Sequence, residues 1–124
     1  MSTLFPYTRQ LDGKKCWKMW WAEGGSLAQT SKDLFELEGV SSNRTGKKFS
    51  SMAVRYAAWL WALDNLDEAY QDVKFKLSKL GRILSEEEWK KAVAEAIRSV
   101  YSQSPDKGKR IIAQHGLQKY DPKP

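Results

Sequence analysis

The chain is poor in the side chains that most active-site chemistry needs. It has one cysteine, Cys16, and one histidine, His115. A single cysteine cannot close an internal disulfide, so a disulfide scaffold is excluded. One Cys and one His cannot supply a four-ligand Cys/His zinc site or a dinuclear histidine site. Long apolar runs are also lacking. The longest, Tyr56 to Leu63, has eight residues, against the roughly 20 that a membrane-spanning helix requires. The opening residues Met1-Ser2-Thr3-Leu4-Phe5-Pro6 show no basic start followed by an apolar core, and so give no sign of a secretory signal. No internal repeat or low-complexity segment is present. These absences lead to the expectation of a soluble, intracellular, cytoplasmic protein forming one domain over residues 1–124. A chain of this size buries roughly 65% of its unfolded surface, enough for one core without covalent staples.

Tryptophan and positive charge, by contrast, are plentiful. There are 6 Trp among 124 residues, and the formal net charge is +6 with a pI near 9.4. Apolar residues recur at helical spacing almost throughout, and strict alternation is nearly absent. The pattern predicts an all-α protein, a compact bundle of five to six helices.

The first helix is expected over about Gly13–Ala22, with Cys16, Trp17, Trp20 and Trp21 on one stripe and Lys14, Lys15 and Lys18 beside it. The second, about Ser26–Glu38, is capped by Ser26, buries Leu27, Thr30, Leu34 and Leu37, and stops at Gly39 with Val40 packing back beneath it. The third, about Ser51–Leu63, places Met52, Tyr56, Trp59 and Leu63 on one face and Val54, Ala57, Ala58 and Trp61 over most of the rest. A helix apolar on most sides belongs in the middle of a fold. The fourth starts at Asn65, with Asp67 and Glu68 in its first turn. It carries Leu66, Ala69, Tyr70, Val73, Leu77 and Leu80 to Gly81. The fifth opens with a Ser85/Glu88 capping box and a Leu84/Trp89 staple. A short sixth begins at Ser104-Pro105-Asp106, carries Ile111 and Ile112, and ends at Gly116. The tail Asp121-Pro122-Lys123-Pro124 is expected to fray.

Charge is placed in blocks. Residues 23–40, 64–72 and 86–95 are acidic, whereas 1–22, 41–63, 73–85 and 96–120 are basic. Segment 41–63 holds Arg44, Lys47, Lys48 and Arg55 and no acid. It is a Ser/Asn/Gly-rich loop running into a helix start. Such a segment suits phosphates: the cations release counterions on binding, and Ser50, Ser51 and the first helical N–H groups can add an anion site. Arg55, one turn further in, is the candidate to reach a base edge. A solvated basic loop with no ligand is the bland alternative.

Other constellations are weaker. Cys16 lies on an apolar stripe and reads as a buried packing thiol; only proximity in space could pair it with His115, which reads as a cap or surface residue. Glu86, Glu87 and Glu88 occupy a helix first turn, where acids belong. Gly46-Lys47-Lys48 lacks the upstream Gly and the following Ser/Thr of a phosphate loop. Neither a metal nor a cofactor is therefore expected. Most Trp residues fall on predicted core stripes, with Trp61 left open as a partner-facing aromatic.

Residues 17–61 resemble helix-turn-helix DNA-binding domains of the homeodomain-like or small-terminase sort. The likeness lies in Trp20-Trp21-Ala22-Glu23-Gly24-Gly25-Ser26-Leu27, Ser31-Lys32-Asp33-Leu34 and Gly39-Val40-Ser41. The stretch Arg44-Thr45-Gly46-Lys47-Lys48-Phe49-Ser50, with Ala53-Val54 and Tyr56-Ala57-Ala58-Trp59, is similar to regulators carried by phages and mobile elements. The resemblance implies that about residues 13–63 form the helix-turn-helix-like part and about 65–116 add C-terminal helices. It implies a third helix in a major groove presenting Ser51, Met52 and Arg55, with Asn43, Arg44, Lys47 and Lys48 on phosphates or an adjacent groove. The chain departs from the pattern in one respect. The turn is ordinarily about three to four residues, whereas Gly39 to Ser50 is twelve. Either the recognition helix starts near Ser42 and breaks at Gly46, or the loop is an insertion.

The expectation is a duplex-DNA-binding protein, a small transcription regulator or packaging accessory factor, with Asn43, Arg44, Lys47, Lys48, Ser51 and Arg55 as its contact residues. The alternatives are a protein-binding module or inhibitor of the phage-adaptor kind, or self-association, and an RNA-binding protein. An enzyme is the class least favoured.

Overall fold

A computed structural model describes residues 11–22, 26–41 and 46–123. Among these residues the chain is all-helical, with no strand. In order come α1 (Gly13–Trp17), which runs on as a π-helical turn (Lys18–Ala22), α2 (Leu27–Glu38), α3 (Ser51–Asp64), α4 (Leu66–Lys79), α5 (Glu86–Val100) and α6 (Pro105–Gln114). A 3-10 turn, Gln118–Tyr120, follows.

The helix boundaries have local causes. Ser26, Ser50 and Ser85 each accept a hydrogen bond from the third helical N–H, satisfying one of the donors a helix start leaves unpaired. At α5 the box is reciprocal, since Glu88 also accepts from the Ser85 N–H. Leu84 and Trp89, at the staple positions, are both buried. α4 ends where Gly81 takes a left-handed conformation and the Arg82 N–H reaches back to the Leu77 carbonyl.

α3 is the central helix and packs against α1, α2, α4 and α5. Its alanines make this possible. Ala53, Ala57, Ala58 and Ala62 are buried along with Val54, Trp59 and Leu63. α1 crosses it at Gly13, where a β-carbon would fall 2.6 Å from the Ala57 carbonyl oxygen and 2.9 Å from Trp61 Cβ. Only glycine admits that approach.

The tryptophans form a spine through the bundle. Trp17, fully buried, touches Trp20, Trp21, Trp59 and Trp61 with ring centroids 5.0–6.3 Å apart. Trp59 stacks on Trp89 at 5.9 Å, and Trp89 on Tyr70 at 5.6 Å. Aromatic packing thus links α1, α3, α5 and α4 in sequence. Trp17, Trp59 and Trp89 are buried, as their stripes predict. Trp20 and Trp21 are half-buried, so Trp61 is not alone in being partly open.

Four expectations need correction. Leu37 is 77% exposed: it lies in the last turn of α2, where the contact to α1 is made by the surface pair of Glu38 with Lys15. Met52 is 64% exposed because Ala53 and Val54 take the core side at the start of α3. Leu80 is 65% exposed because α4 ends before it and the stripe runs off the body. The tail is not frayed up to Lys123. Asp121 accepts hydrogen bonds from Arg98 Nε at 2.8 Å and Nη2 at 2.7 Å, and Arg98 Nη2 also donates to the Lys123 carbonyl at 2.8 Å. A bidentate arginine–carboxylate bond fixes geometry as well as adding energy.

Candidate nucleic-acid interface

The start of α3 is open to solvent. Lys47, Lys48, Ser50, Ser51 and Met52 are all exposed there. Just before it Phe49 is buried, and its carbonyl accepts a hydrogen bond from the buried Ser31 hydroxyl of α2. The connection is thereby tied to the body immediately upstream of the helix. Ser50 is occupied as the cap, accepting from the Ala53 N–H at 3.1 Å. Ser51 is the first residue of α3 and carries no such role.

Arg55 is half-buried, and its guanidinium donates to Ser99 Oγ of α5 at 2.8 Å. The neighbouring Tyr56 hydroxyl donates to the Ser99 carbonyl at 3.2 Å. Arg55 therefore helps join α3 to α5, a role that spacing alone does not reveal. Asn43 and Arg44 lie outside the described residues, as does the stretch in which an early recognition helix would begin. The described flanks of the long connection, Gly39–Ser41 and Gly46–Ser50, are not helical, and α3 starts at Ser51 as expected.

The lysines of α1 do not extend this surface. Lys15 pairs with Glu38. Lys18 sits 2.7 Å from Glu68 and 2.6 Å from Asp72, and also over the Trp61 ring. Burial disfavours its charge, but the hydrogen bonds to Asp72 and Glu68 outweigh that and hold its pKa above the ordinary lysine value. Lys14 lies close enough to help lower the pKa of Glu68, for which Lys18 is the main cause. The basic face of α1 is thus met by the acidic blocks of α2 and α4.

Cys16 is wholly buried at the α1–α3 contact. Burial, then the nearby Asp12, pushes its thiol up to about 12, so it stays protonated at neutral pH. His115 is exposed at the C-terminal end of α6. It lines a cavity of about 270 Å³ with Tyr70, Trp89, Asp67 and Glu86, a setting unlike that of Cys16. Among the described residues no three His, Cys, Asp or Glu side chains gather in a way that could hold a metal ion. No helix among them is long and apolar enough to cross a membrane.

Two residues that sequence reasoning passed over carry structural weight. Gly13 reads as an ordinary helix start, and only the crossing with α3 shows why it has no side chain. Arg98 reads as one more surface cation at the end of a helix. Its signal is the solitary Asp121 in a basic tail, which is visible in the sequence only once the chain is known to turn back.

No family model, curated protein or solved structure matches this chain. The helix-turn-helix likeness rests on the residues that carry it.

Proposed function

We propose that this protein binds duplex DNA, as a small cytoplasmic regulator or packaging accessory factor. The observation that carries the reading is the open start of α3. Exposed Lys47 and Lys48 precede a solvent-facing first turn with Ser51, inside a stretch without a single acid. Cations beside free helical N–H groups suit backbone phosphates. In this reading Asn43 and Arg44 extend the contact along the loop. Arg55 serves as a strut from α3 to α5 that keeps the helix start at a fixed angle, and reaches a base edge only by releasing Ser99. The test is the affinity for a fluorescent duplex at two salt concentrations. Lys47→Ala and Lys48→Ala are each expected to weaken binding across sequences and to reduce the salt slope by about 1. Wild-type protein that shows no salt-dependent binding would remove the reading. Competition by duplex RNA separates the RNA alternative.

A specific feature favours a second reading, a protein-binding module. Leu80 and Ile83, 65% and 89% exposed, stand beside Lys79 and Arg82 at the end of α4. Retention of a partner in high salt, lost on Leu80→Glu, would support it over DNA binding.

A further inference from the structure

We infer that the C-terminal pair α5 and α6 forms a second DNA-docking unit, with the outer face of α6 presented to the duplex. The inference rests on the DNA-binding reading but uses a different surface. Four residues, Tyr101–Ser104, join α5 to α6. That is the turn length of a helix-turn-helix pair, about three to four residues, which the twelve-residue connection before α3 does not have.

The placement of α6 is set by packing and by hydrogen bonds. Ile112 and Gly108 are buried on its inner side. A β-carbon at Gly108 would sit 3.5 Å from Tyr101 Cβ and 3.9 Å from Arg98, so the helix lies close against the end of α5. Arg98 holds three places at once. It donates to the Pro105 carbonyl at the first turn of α6, to Asp121 and to the Lys123 carbonyl. The helix start and the returning tail are thus clamped to α5 by one guanidinium.

The outward side follows from helical geometry. At about 100° per residue, Lys107, Arg110 and Gln114 lie within roughly 40° of the direction opposite Ile112. All three are exposed. They follow the i, i+3, i+7 spacing of a helix that presents one face, over about 10 Å of helix length. The major groove, about 12 Å wide, admits such a helix. Lys107 is partly positioned by the Tyr101 ring, 5.3 Å from its Nζ. By the same geometry Lys109 lies toward the Ile112 side, where it acts on Asp121, and exposed Asp106 borders the face at the helix start. After Asp106 no acid appears until Asp121, which Arg98 occupies. An exposed cationic helix face with an arginine and a glutamine near its centre is complementary to a phosphate-lined groove. Arg to guanine and Gln to adenine are the base contacts it can make.

The experiment compares two double variants of the full chain, Lys107→Ala/Arg110→Ala and Lys47→Ala/Lys48→Ala. Each is titrated onto a fluorescent mixed-sequence duplex at about 50 and about 200 mM salt. The α6 double variant is expected to bind at least about 10-fold more weakly at the lower salt, with a salt slope reduced by nearly 2. Both positions are exposed, so its helical circular dichroism and melting temperature should match wild type. Arg110→Lys keeps the charge and should recover most of the non-specific affinity. If wild type binds and only the Lys47/Lys48 variant is weakened, the inference is overturned and the reading at α3 stands. If only the α6 variant is weakened, the inference stands and the surface at α3 falls. If wild type shows no salt-dependent binding, both are overturned.

Discussion

At one end of the bundle the helices are held mainly by buried rings, with the ion pairs of Lys15 and Lys18 at the margin; at the other a single guanidinium ties them together. Around Trp17 four further indoles close on a fully buried ring, and α1 and α3 approach until their backbones nearly touch at Gly13. Around Arg98 a guanidinium with several acceptors fixes α6 and the tail. The aromatic end has nowhere to move without opening a large cavity. The charged end has a direction and a strength that depend on ionisation. The difference shows how a chain rich in Trp and in cations divides the two: the indoles fill the interior, and exposed basic residues stand, among other places, at the start of α3 and on α6.

The largest effect is expected where the comparison is most one-sided. Trp17→Ala removes the ring at the hub of the spine and should cost about 3–5 kcal/mol, read as a shift in the urea midpoint. Trp17→Phe sharpens the point. Trp17 Nε1 is buried with no acceptor among the described residues, so phenylalanine loses volume but also removes an unpaired donor. It should be clearly less damaging than alanine. Equal losses in the two variants would mean that the ring does not fill the hub as described.

A smaller effect is expected at Gly13. Alanine there gains up to about 1 kcal/mol of helix propensity, yet its β-carbon meets the Ala57 carbonyl, which is backbone and cannot swing away. Overpacking of this kind costs about 1–3 kcal/mol, so Gly13→Ala should be net destabilising and should move α1 off α3. A neutral or stabilised variant would show that the two helices have room to slide.

Much of this fold is legible in the sequence, because helix ends carry their own chemistry. Ser26, Ser50, Ser85 and Pro105 announce starts, and Gly39, Gly81 and Gly116 announce stops, without reference to anything distant. The stripes of α3 and α5 likewise identify the core. Leu37, Met52 and Leu80 escape that logic. A stripe says which side of a helix is apolar, not where the neighbouring helix ends, and all three lie in terminal turns beyond the reach of a partner. The candidate sites were legible as charge but not as availability. Lys15 and Lys18 look as free as Lys48 until α2 and α4 bring Glu38, Glu68 and Asp72 against them. Arg55 looks like a base reader until Ser99 arrives from a position 44 residues away.

The smallest effect should be the one that separates the charged end from the rest by pH. The Arg98 guanidinium beside Asp121 holds that carboxyl below the ordinary aspartate value. A carboxyl depressed in the folded state stabilises fully above its unfolded pKa, about 3.9, and loses that contribution as pH falls through the lower folded value. The urea midpoint of wild type should therefore drop below about pH 4. Asp121→Asn lacks the contribution already at neutral pH and should lose part of that acid-side slope. Glu68, held low by Lys18, slopes the same way, so the two must be told apart. The Glu68 side chain is 45% exposed and that of Asp121 6%. In about 1 M salt, where screening acts within about 3 Å, the Glu68 share should fade and the Asp121 share persist. A difference between wild type and Asp121→Asn that vanishes in high salt would make the Arg98 clamp an ordinary surface pair, and α6 would lose the anchor that sets it apart from the open start of α3.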